Sequence, residues 1–450
     1  MDRQFYKTAL RMVVPMVLQN VFAAMMGSVD VVMLNMVGQE AISAVSLATQ
    51  YSMILFMVQN GIGSGAIVLA AQYWGKGDIK ALEIIEGIAL KLSLAVSLLF
   101  AAAAVFFPAG MMRVYTADPA LIAEGSKYLR VIWIFYLLSA VFTAYFSILR
   151  STGRIAISTL LNGISFFLNI AFNAAFISGV AGANWSGVRG VAAATCISSA
   201  ICVAGCFVVS AKTPDIKLKL SFMFRKSSLL FRDFVHLSLP AVLNDLSWGV
   251  AFSVYVAIMG RLGSDVVAAN SLVVVVRNFA TVFCFAVAGV GGIMVGNLIG
   301  SGKLAEADLC SKAFLKMTVL CAAFGGLLIF AFSPLVLRFA SLSQTALGYL
   351  KVMLYINTYY IMGSAVNTLL IAGVFRAGGK TRFGLICDTI DMWGYGVISG
   401  LLTAFVFKLP VMWVYFFMCL DEFVKWPWVF SYYKSKKWLQ NITRDNLALA

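Results

Sequence analysis

Apolar runs of about 20 residues recur along the whole of this 450-residue chain, and they constrain its fold more than any other feature. A helix of about 20 apolar residues is long enough to cross the roughly 30 Å hydrocarbon core of a bilayer. Only 12% of the residues are charged, against roughly 25% in a soluble domain. The sequence therefore predicts an all-α integral membrane protein with twelve transmembrane helices. The predicted spans cover residues 13–36, 44–72, 87–110, 128–149, 156–180, 189–210, 236–260, 267–297, 311–337, 348–374, 383–407 and 410–432.

The positions of Lys and Arg predict the orientation of these spans. Of the 34 basic residues, 24 lie at the two ends of the chain or in the loops that share their side, and seven lie in the opposite loops. Cytoplasmic loops are enriched in Lys and Arg. Both termini are therefore predicted to be cytoplasmic, in a multi-pass protein of the cell (inner) membrane. The basic residues of the cytoplasmic loops then account for most of the net charge of +15, and no nucleic-acid partner is expected.

The two halves of the chain resemble each other. With an offset of 225 residues, "PMVLQN" at Pro15 aligns with "PAVLND" at Pro240, and the loop "WGKGD" aligns with "IGSGK". One further residue of offset aligns "LRSTGR" with "FRAGGK". Such parallel repeats occur in transporters, where the substrate site lies near the membrane midplane between the repeats. The predicted domains are an N-lobe (1–210), a basic cytoplasmic linker (211–232) and a C-lobe (233–450).

Several motifs resemble those of the multidrug and toxic compound extrusion (MATE) family, in its bacterial form. They are the first span ending in "VDVVMLNMVG", the loops "QYWGKGD" and "LRSTGR", and the Asn-rich fifth span "LLNGISFFLNIAFN". The resemblance implies a V-shaped bundle of two pseudo-symmetric six-helix lobes. It also implies export of organic, often cationic, compounds in exchange for Na⁺ or H⁺.

Asp30 lies inside the first span, where an unpaired carboxylate costs roughly 2.5–3.5 kcal/mol and usually has a partner in the protein. Asn169 and Asn173 share one stripe of the fifth span. The resemblance implies a cation site made by these three side chains with Thr195 and the main-chain carbonyl of Val191. Hard monovalent cations favour such oxygen ligands, and a desolvated Asp could instead carry a proton. The alternative is that the Asn side chains only join helices by hydrogen bonds.

The second half carries Tyr255 at the position equivalent to Asp30, so the ion site is not expected twice. Its own acids are Asp245, and Asp388 with Asp391 one turn apart. We expect them to attract a cationic substrate, with Arg277 as the nearby counter-ion; a purely structural pair of Arg277 with one Asp is the alternative. The further residues predicted to line the substrate cavity are Gln19, Asn20, Gln50, Asn244 and Trp248. Asp421, Glu422 and Lys425 are interpreted as mutually neutralising charges near the cytoplasmic end of the last span.

Other functional classes fit this sequence less well. An enzyme is not expected, because the chain has no HExxH or Walker motif, no Cys/His ligand cluster and only one His. A flippase for lipid-linked saccharides or lipid precursors is the alternative transporter, although the charges within the spans are mainly acidic. The sequence therefore predicts a monomeric secondary antiporter in the lipid bilayer. It would export small organic substrates, with Na⁺ or H⁺ as coupling ion and no cofactor.

Overall fold

The computed structural model describes residues 3–34, 37–178, 187–225 and 227–445. Inside the first helix, the side chains of residues 24, 27, 28 and 30–32 lie outside the described part. Over the described ranges, every regular element is helical.

The first half of the chain forms seven helices. They are α1 (Arg3–Leu34), α2 (Gln39–Lys76), α3 (Ile79–Phe106), α4 (Pro108–Arg113), α5 (Pro119–Ser151), α6 (Ile155–Ile177) and α7 (Gly187–Lys212), followed by a 3₁₀ turn (Leu220–Phe224). The second half forms α8 (Ser228–Leu262), α9 (Ser264–Gly300), α10 (Leu304–Phe339), α11 (Gln344–Asn367), α12 (Thr381–Thr389), α13 (Ile398–Leu401), α14 (Val411–Met418), α15 (Asp421–Val424) and α16 (Trp426–Lys434). Three π-helical segments, Thr368–Phe375, Ile390–Val397 and Leu402–Val406, continue the tenth and eleventh spans.

Ten helical segments in the described ranges are long and apolar enough to cross a membrane. The two other predicted spans correspond to α1 and to the interrupted stretch α14–α16. The all-α membrane architecture predicted from the apolar runs is therefore confirmed. The last span differs from the others because Pro427 lies in the first turn of α16. A proline has no N–H to donate to the preceding turn, so it favours the start of a new helix.

Packing divides the chain into two compact units. The N-unit comprises Leu18–Val242 and Arg444–Ala450, and the C-unit comprises Met1–Val17 and Leu243–Thr443. The divisions fall inside α1 and α8, so each of these helices contributes to both units. The two lobes and the linker boundaries drawn from the sequence repeat stay a prediction.

The basic segment between the halves packs onto the N-unit. Phe222 in the 3₁₀ turn is buried, and the Arg225 guanidinium lies 4.7 Å from the centre of its ring. Arg225 also pairs with Glu83 of α3. Arg154, just before α6, pairs with Asp215 at 3.3 Å. These contacts fix the segment to the ends of α3 and α6.

Within the N-unit, α2 packs against α5 and α3, and α7 packs against α5 and α6. Two glycines four residues apart on one face of α2 allow α8 to approach closely. A methyl group at Gly61 would lie 2.5 Å from Cα of Val242, and one at Gly65 would lie 2.9 Å from Cα of Ser238. The packing of α8 on α2 therefore requires residues without side chains.

We predict that Gly61→Ala lowers the apparent melting temperature of the purified protein in detergent. The added methyl group would have to displace backbone, and such overpacking costs about 1–3 kcal/mol. Gly348→Ala in α11 is the matched control, because a methyl group there has no neighbour within 4 Å. Equal melting temperatures for the two variants would contradict this account of the α2–α8 contact.

Candidate functional site

Four of the five residues predicted to form the ion site lie together in the N-unit. Asn169 and Asn173 are one turn apart on α6, Val191 and Thr195 are one turn apart on α7, and all four are buried. The i, i+4 spacing places each pair on one face of its helix. Because α6 packs directly on α7, the two faces meet. The helical periodicity of the sequence is thus enough to bring these groups together.

Hydrogen bonds join the four groups in a row. Asn173 Nδ2 donates to Asn169 Oδ1 at 3.2 Å, and Asn169 Nδ2 donates to Thr195 Oγ1 at 3.1 Å. Thr195 Oγ1 in turn donates to the carbonyl oxygen of Val191 at 3.1 Å. Carbonyl and hydroxyl oxygens of this kind are the ligands that hard cations prefer. A cation could therefore take the place of these amide and hydroxyl donors, provided that the amides reorient.

Asp30, the predicted acidic ligand, lies in α1. Its side chain is outside the described part of the structure, so its distance to Asn169 and Thr195 stays a prediction.

A second polar group lies in the C-unit and is centred on Lys425, between α15 and α16. Its Nζ atom lies 3.2 Å from Asp388 Oδ1, 3.2 Å from Asp391 Oδ2 and 3.0 Å from Glu422 Oε2. All four side chains are at most 6% exposed. The Lys425 cluster, defined by these four residues, therefore buries three carboxyl groups around one ammonium group.

Neutral hydrogen-bond donors bind two of the three carboxyl groups in this cluster. Asn244 Nδ2 and Trp248 Nε1 both donate to Asp388 Oδ2, at 3.0 and 3.3 Å. Asn367 Nδ2 donates to Glu422 Oε2 at 2.7 Å and to the Glu422 carbonyl oxygen at 2.6 Å. Asp388 and Glu422 are thus well solvated by the protein. Hydrogen bonds of this kind compensate much of the cost of burying a charge.

A cavity of about 250 Å³ borders the Lys425 cluster. Of the predicted cavity residues, the structure brings Asn244, Asp245, Trp248 and Asp388 together in its wall. Asp245 lies 3.6 Å from Arg376, which lines the same cavity. The π-helical segments Thr368–Phe375 and Ile390–Val397 begin beside the cluster. Such segments often occur at functional sites.

The prediction that Arg277 is the counter-ion of Asp388 and Asp391 was wrong. Lys425 pairs with both acids, and no ion pair joins Arg277 to either Asp in the described residues. Arg277 instead lies over the rings of Tyr360 and Phe252, at 5.3 and 5.9 Å. It lines a smaller cavity, of about 60 Å³. Arg277, on α9, shares this cavity with Asp421, and the aromatic faces of Tyr360 and Phe252 also attract its charge.

The remaining predicted cavity residues belong to the N-unit. Gln19 on α1 is 4% exposed, and its Oε1 atom makes no hydrogen bond within the described residues. Asn20 is half-buried and Gln50, on α2, is exposed. Their participation in a substrate cavity stays a prediction.

Sequence reasoning missed the central residue of the C-unit site. Asp421, Glu422 and Lys425 were interpreted as mutually neutralising charges, and Lys425 does pair with Glu422 at 3.0 Å, but their burial and the contacts of Lys425 with Asp388 and Asp391 were not predicted. The available signal was three charges inside an otherwise apolar run, "FMCLDEFVKWPW". Buried charges within spans usually face one another. Asn367 gave no signal, because its spacing from the other amides of α11 does not indicate a shared site.

Comparisons with known proteins agree with this architecture. The MatE family model matches residues 15–175 and 240–402. An uncharacterized transporter of Bacillus subtilis, YisQ, is 22% identical over 418 residues, covering 92% of this chain and 91% of its own length. A probable multidrug resistance protein NorM of Rhizobium meliloti is 24% identical, covering 89% and 87%. The crystal structure of VcmN, a MATE transporter of Vibrio cholerae, superposes with a TM-score of 0.86 at 16% identity, covering 97% and 99%.

We predict that Asn367→Leu lowers the melting temperature of the purified protein. The substitution removes both hydrogen bonds to Glu422, and leaving a buried charged acceptor without its donor costs about 1–3 kcal/mol. Asn278→Leu is the matched control, because Asn278 is an exposed residue of α9. A melting temperature for Asn367→Leu equal to that of the control would contradict the role given to Asn367.

Proposed function

Because this chain belongs to the multidrug and toxic compound extrusion (MATE) family of membrane transporters, we propose that it is a secondary antiporter. It exports organic cations from the cytoplasm in exchange for Na⁺ or H⁺. The probable multidrug resistance proteins among its relatives support this substrate class. The proposed location is the inner membrane, with both termini cytoplasmic and the protein acting as a monomer.

The observation that carries the proposal is the row of hydrogen-bonded groups from Asn173 to Val191 in the N-unit. Four oxygen-bearing groups are buried between two membrane spans, where interhelical hydrogen bonds stabilise a bundle by only about 0.6 kcal/mol each. Hydrogen bonds that stabilise the bundle so weakly do not explain why four polar groups are buried in one row. Stabilising the bundle does not require such a row. A coupling cation does, since it needs several oxygen ligands together with the charge that Asp30 would supply.

The C-unit cavity supports the choice of an organic cation as substrate. Its wall carries Asp245, Asp388 and Glu422, against Arg376 and Lys425, so negative charge is in excess. Trp248 in the same wall offers an aromatic face. Aromatic faces attract cations, most of all when water is excluded.

In the proposed cycle, the coupling ion enters the N-unit site from outside the cell. Its binding breaks the Asn169–Thr195 hydrogen bond that joins α6 to α7 and so favours a different packing of these helices. The transporter can then release the organic cation outwards. Alternating access of this kind requires only that the ion binds one of two conformations more tightly than the other.

We predict that Asp30→Asn abolishes ethidium efflux from proteoliposomes driven by an imposed Na⁺ or pH gradient. The substitution removes the only acidic ligand of the proposed ion site while keeping the size of the side chain. If Asp30→Asn transports ethidium as fast as the wild type, with the same ion dependence, the proposed mechanism is wrong.

Thr195→Val should weaken the apparent affinity for the coupling ion about tenfold, which corresponds to one lost ligand at about 1.4 kcal/mol. Valine has the shape of threonine without the hydroxyl group that bonds Asn169 and Val191. Thr195→Ser keeps the hydroxyl and should restore most of the affinity, measured as the ion concentration for half-maximal efflux. Equal half-maximal concentrations for the Val and Ser variants would exclude Thr195 as a ligand.

A further inference from the structure

The Lys425 cluster has more carboxyl groups than cations. Asp388, Asp391 and Glu422 surround the single ammonium group of Lys425 at 3.0–3.2 Å. A fourth buried carboxyl group, Asp421, accepts hydrogen bonds from the Glu422 N–H at 2.7 Å and from the Tyr255 hydroxyl at 3.2 Å. Uncompensated charge buried in a membrane protein is costly. Arg277, which lines the same small cavity as Asp421, is a second cation, so the four carboxyl groups still outnumber the two cations and additional positive charge is needed.

A metal ion is a poor candidate for that charge. Lys425 Nζ already occupies the point where the three carboxyl groups converge. Within the described ranges, no group of three or more acidic, His or Cys side chains is arranged to hold a metal ion. The ammonium group thus takes the place that a bound cation would have, and a proton is the remaining charge carrier.

The hydrogen bonds indicate which carboxyl group holds the proton. Asp388 accepts bonds from Asn244 and Trp248 as well as from Lys425. Glu422 accepts a bond from Asn367 and pairs with Lys425. Both oxygens of Asp391 are buried and without a hydrogen bond in the described residues, and only the ion pair with Lys425 supports its charge. Asp391 is thus the least stabilised as a carboxylate.

The acidic groups near Asp391 favour the same assignment because their negative charge opposes its ionisation, whereas Lys425 favours its carboxylate form. Asp388 precedes it by one turn, and Glu422 and Asp421 face it from the last span. Tyr255 faces it from α8, and Cys387 and Tyr395 lie on its own span. Lys425 is the one cation among them.

The cluster is also accessible to a small ligand through the 250 Å³ cavity. Two amide oxygens in the cavity wall, Asn244 Oδ1 and Asn367 Oδ1, are buried and make no hydrogen bond within the described residues. They would accept hydrogen bonds from a ligand that carries N–H groups. A monovalent organic cation with N–H donors would satisfy these oxygens and add the positive charge that the cluster needs.

We propose that the Lys425 cluster is a proton site of the C-unit, in which Asp391 holds a proton that is released to water when an organic cation with N–H donors binds in the adjoining cavity. Lys425 acts as a fixed internal cation that keeps the site selective for protons over metal ions. The proton leaves as one positive charge and the ligand enters as one, so charge in the site is conserved. The choice of an organic cation as ligand rests on the function proposed above; the protonation of Asp391 does not.

Difference infrared spectroscopy of the full-length protein tests the protonation at neutral pH. The C=O stretching band of a protonated, buried carboxyl group should lose the intensity of one group in Asp391→Asn. It should gain intensity in Lys425→Met, because removing the ammonium group leaves more negative charge to be neutralised. Glu306→Gln, which changes an exposed residue of α10, should leave the band unchanged. A band that is the same in Asp391→Asn, Lys425→Met and the wild type overturns the proposal.

Calorimetric titration with benzamidinium, in buffers of different ionisation enthalpy, tests the exchange. The wild type and Glu306→Gln, a change at an exposed residue, should each release about one proton per benzamidinium bound, and Asp391→Asn should bind it without proton release. Proton release by Asp391→Asn equal to that of the wild type overturns the exchange. If benzamidinium does not bind the wild type, the exchange and the proposed substrate class both fail, whereas the infrared result still decides where the proton resides.

Discussion

A charged or amide side chain inside a bilayer has no water to bind, so its partners have to come from the protein itself. The two units of this transporter meet this constraint in different ways. In the N-unit, Asn169, Asn173 and Thr195 use one another and a main-chain carbonyl. In the C-unit, Lys425 gathers three carboxyl groups, and neutral donors bind two of them, Asp388 and Glu422.

The polar groups of the two units do not follow the sequence repeat. The repeat aligns Asp30 with Tyr255, which carries no charge. The Tyr255 hydroxyl group binds Asp421, next to the Lys425 cluster. The acidic groups of the Lys425 cluster therefore come from the last two spans rather than from the equivalent of the first. On the proposed account, the N-unit holds a coupling ion among mostly neutral oxygens, and the C-unit exchanges a proton for the substrate.

Much of this arrangement follows from the sequence, because helical periodicity is enough to predict it. Asn169 and Asn173 lie one turn apart, as do Val191 and Thr195, and consecutive helices pack together. The Lys425 cluster does not follow in this way. The last span is interrupted before Pro427. In the span before it, π-helical turns near Asp391 shift the direction of the side chains away from the regular α-helical spacing. Neither face could be assigned from spacing alone, so the pairing of Lys425 with Asp388 and Asp391 was not predicted and Arg277 was taken for the counter-ion.

The central claim is that each half of the protein carries its own cation-exchanging site. It is tested most directly by the charge moved per ethidium exported, measured from the reversal potential of efflux in proteoliposomes. Two sites predict that two positive charges enter for each ethidium that leaves, so an inside-negative membrane potential should accelerate efflux. Simple leakage of a cation would instead be slowed by that potential. Efflux that is independent of the membrane potential would mean one-for-one exchange and would contradict the claim.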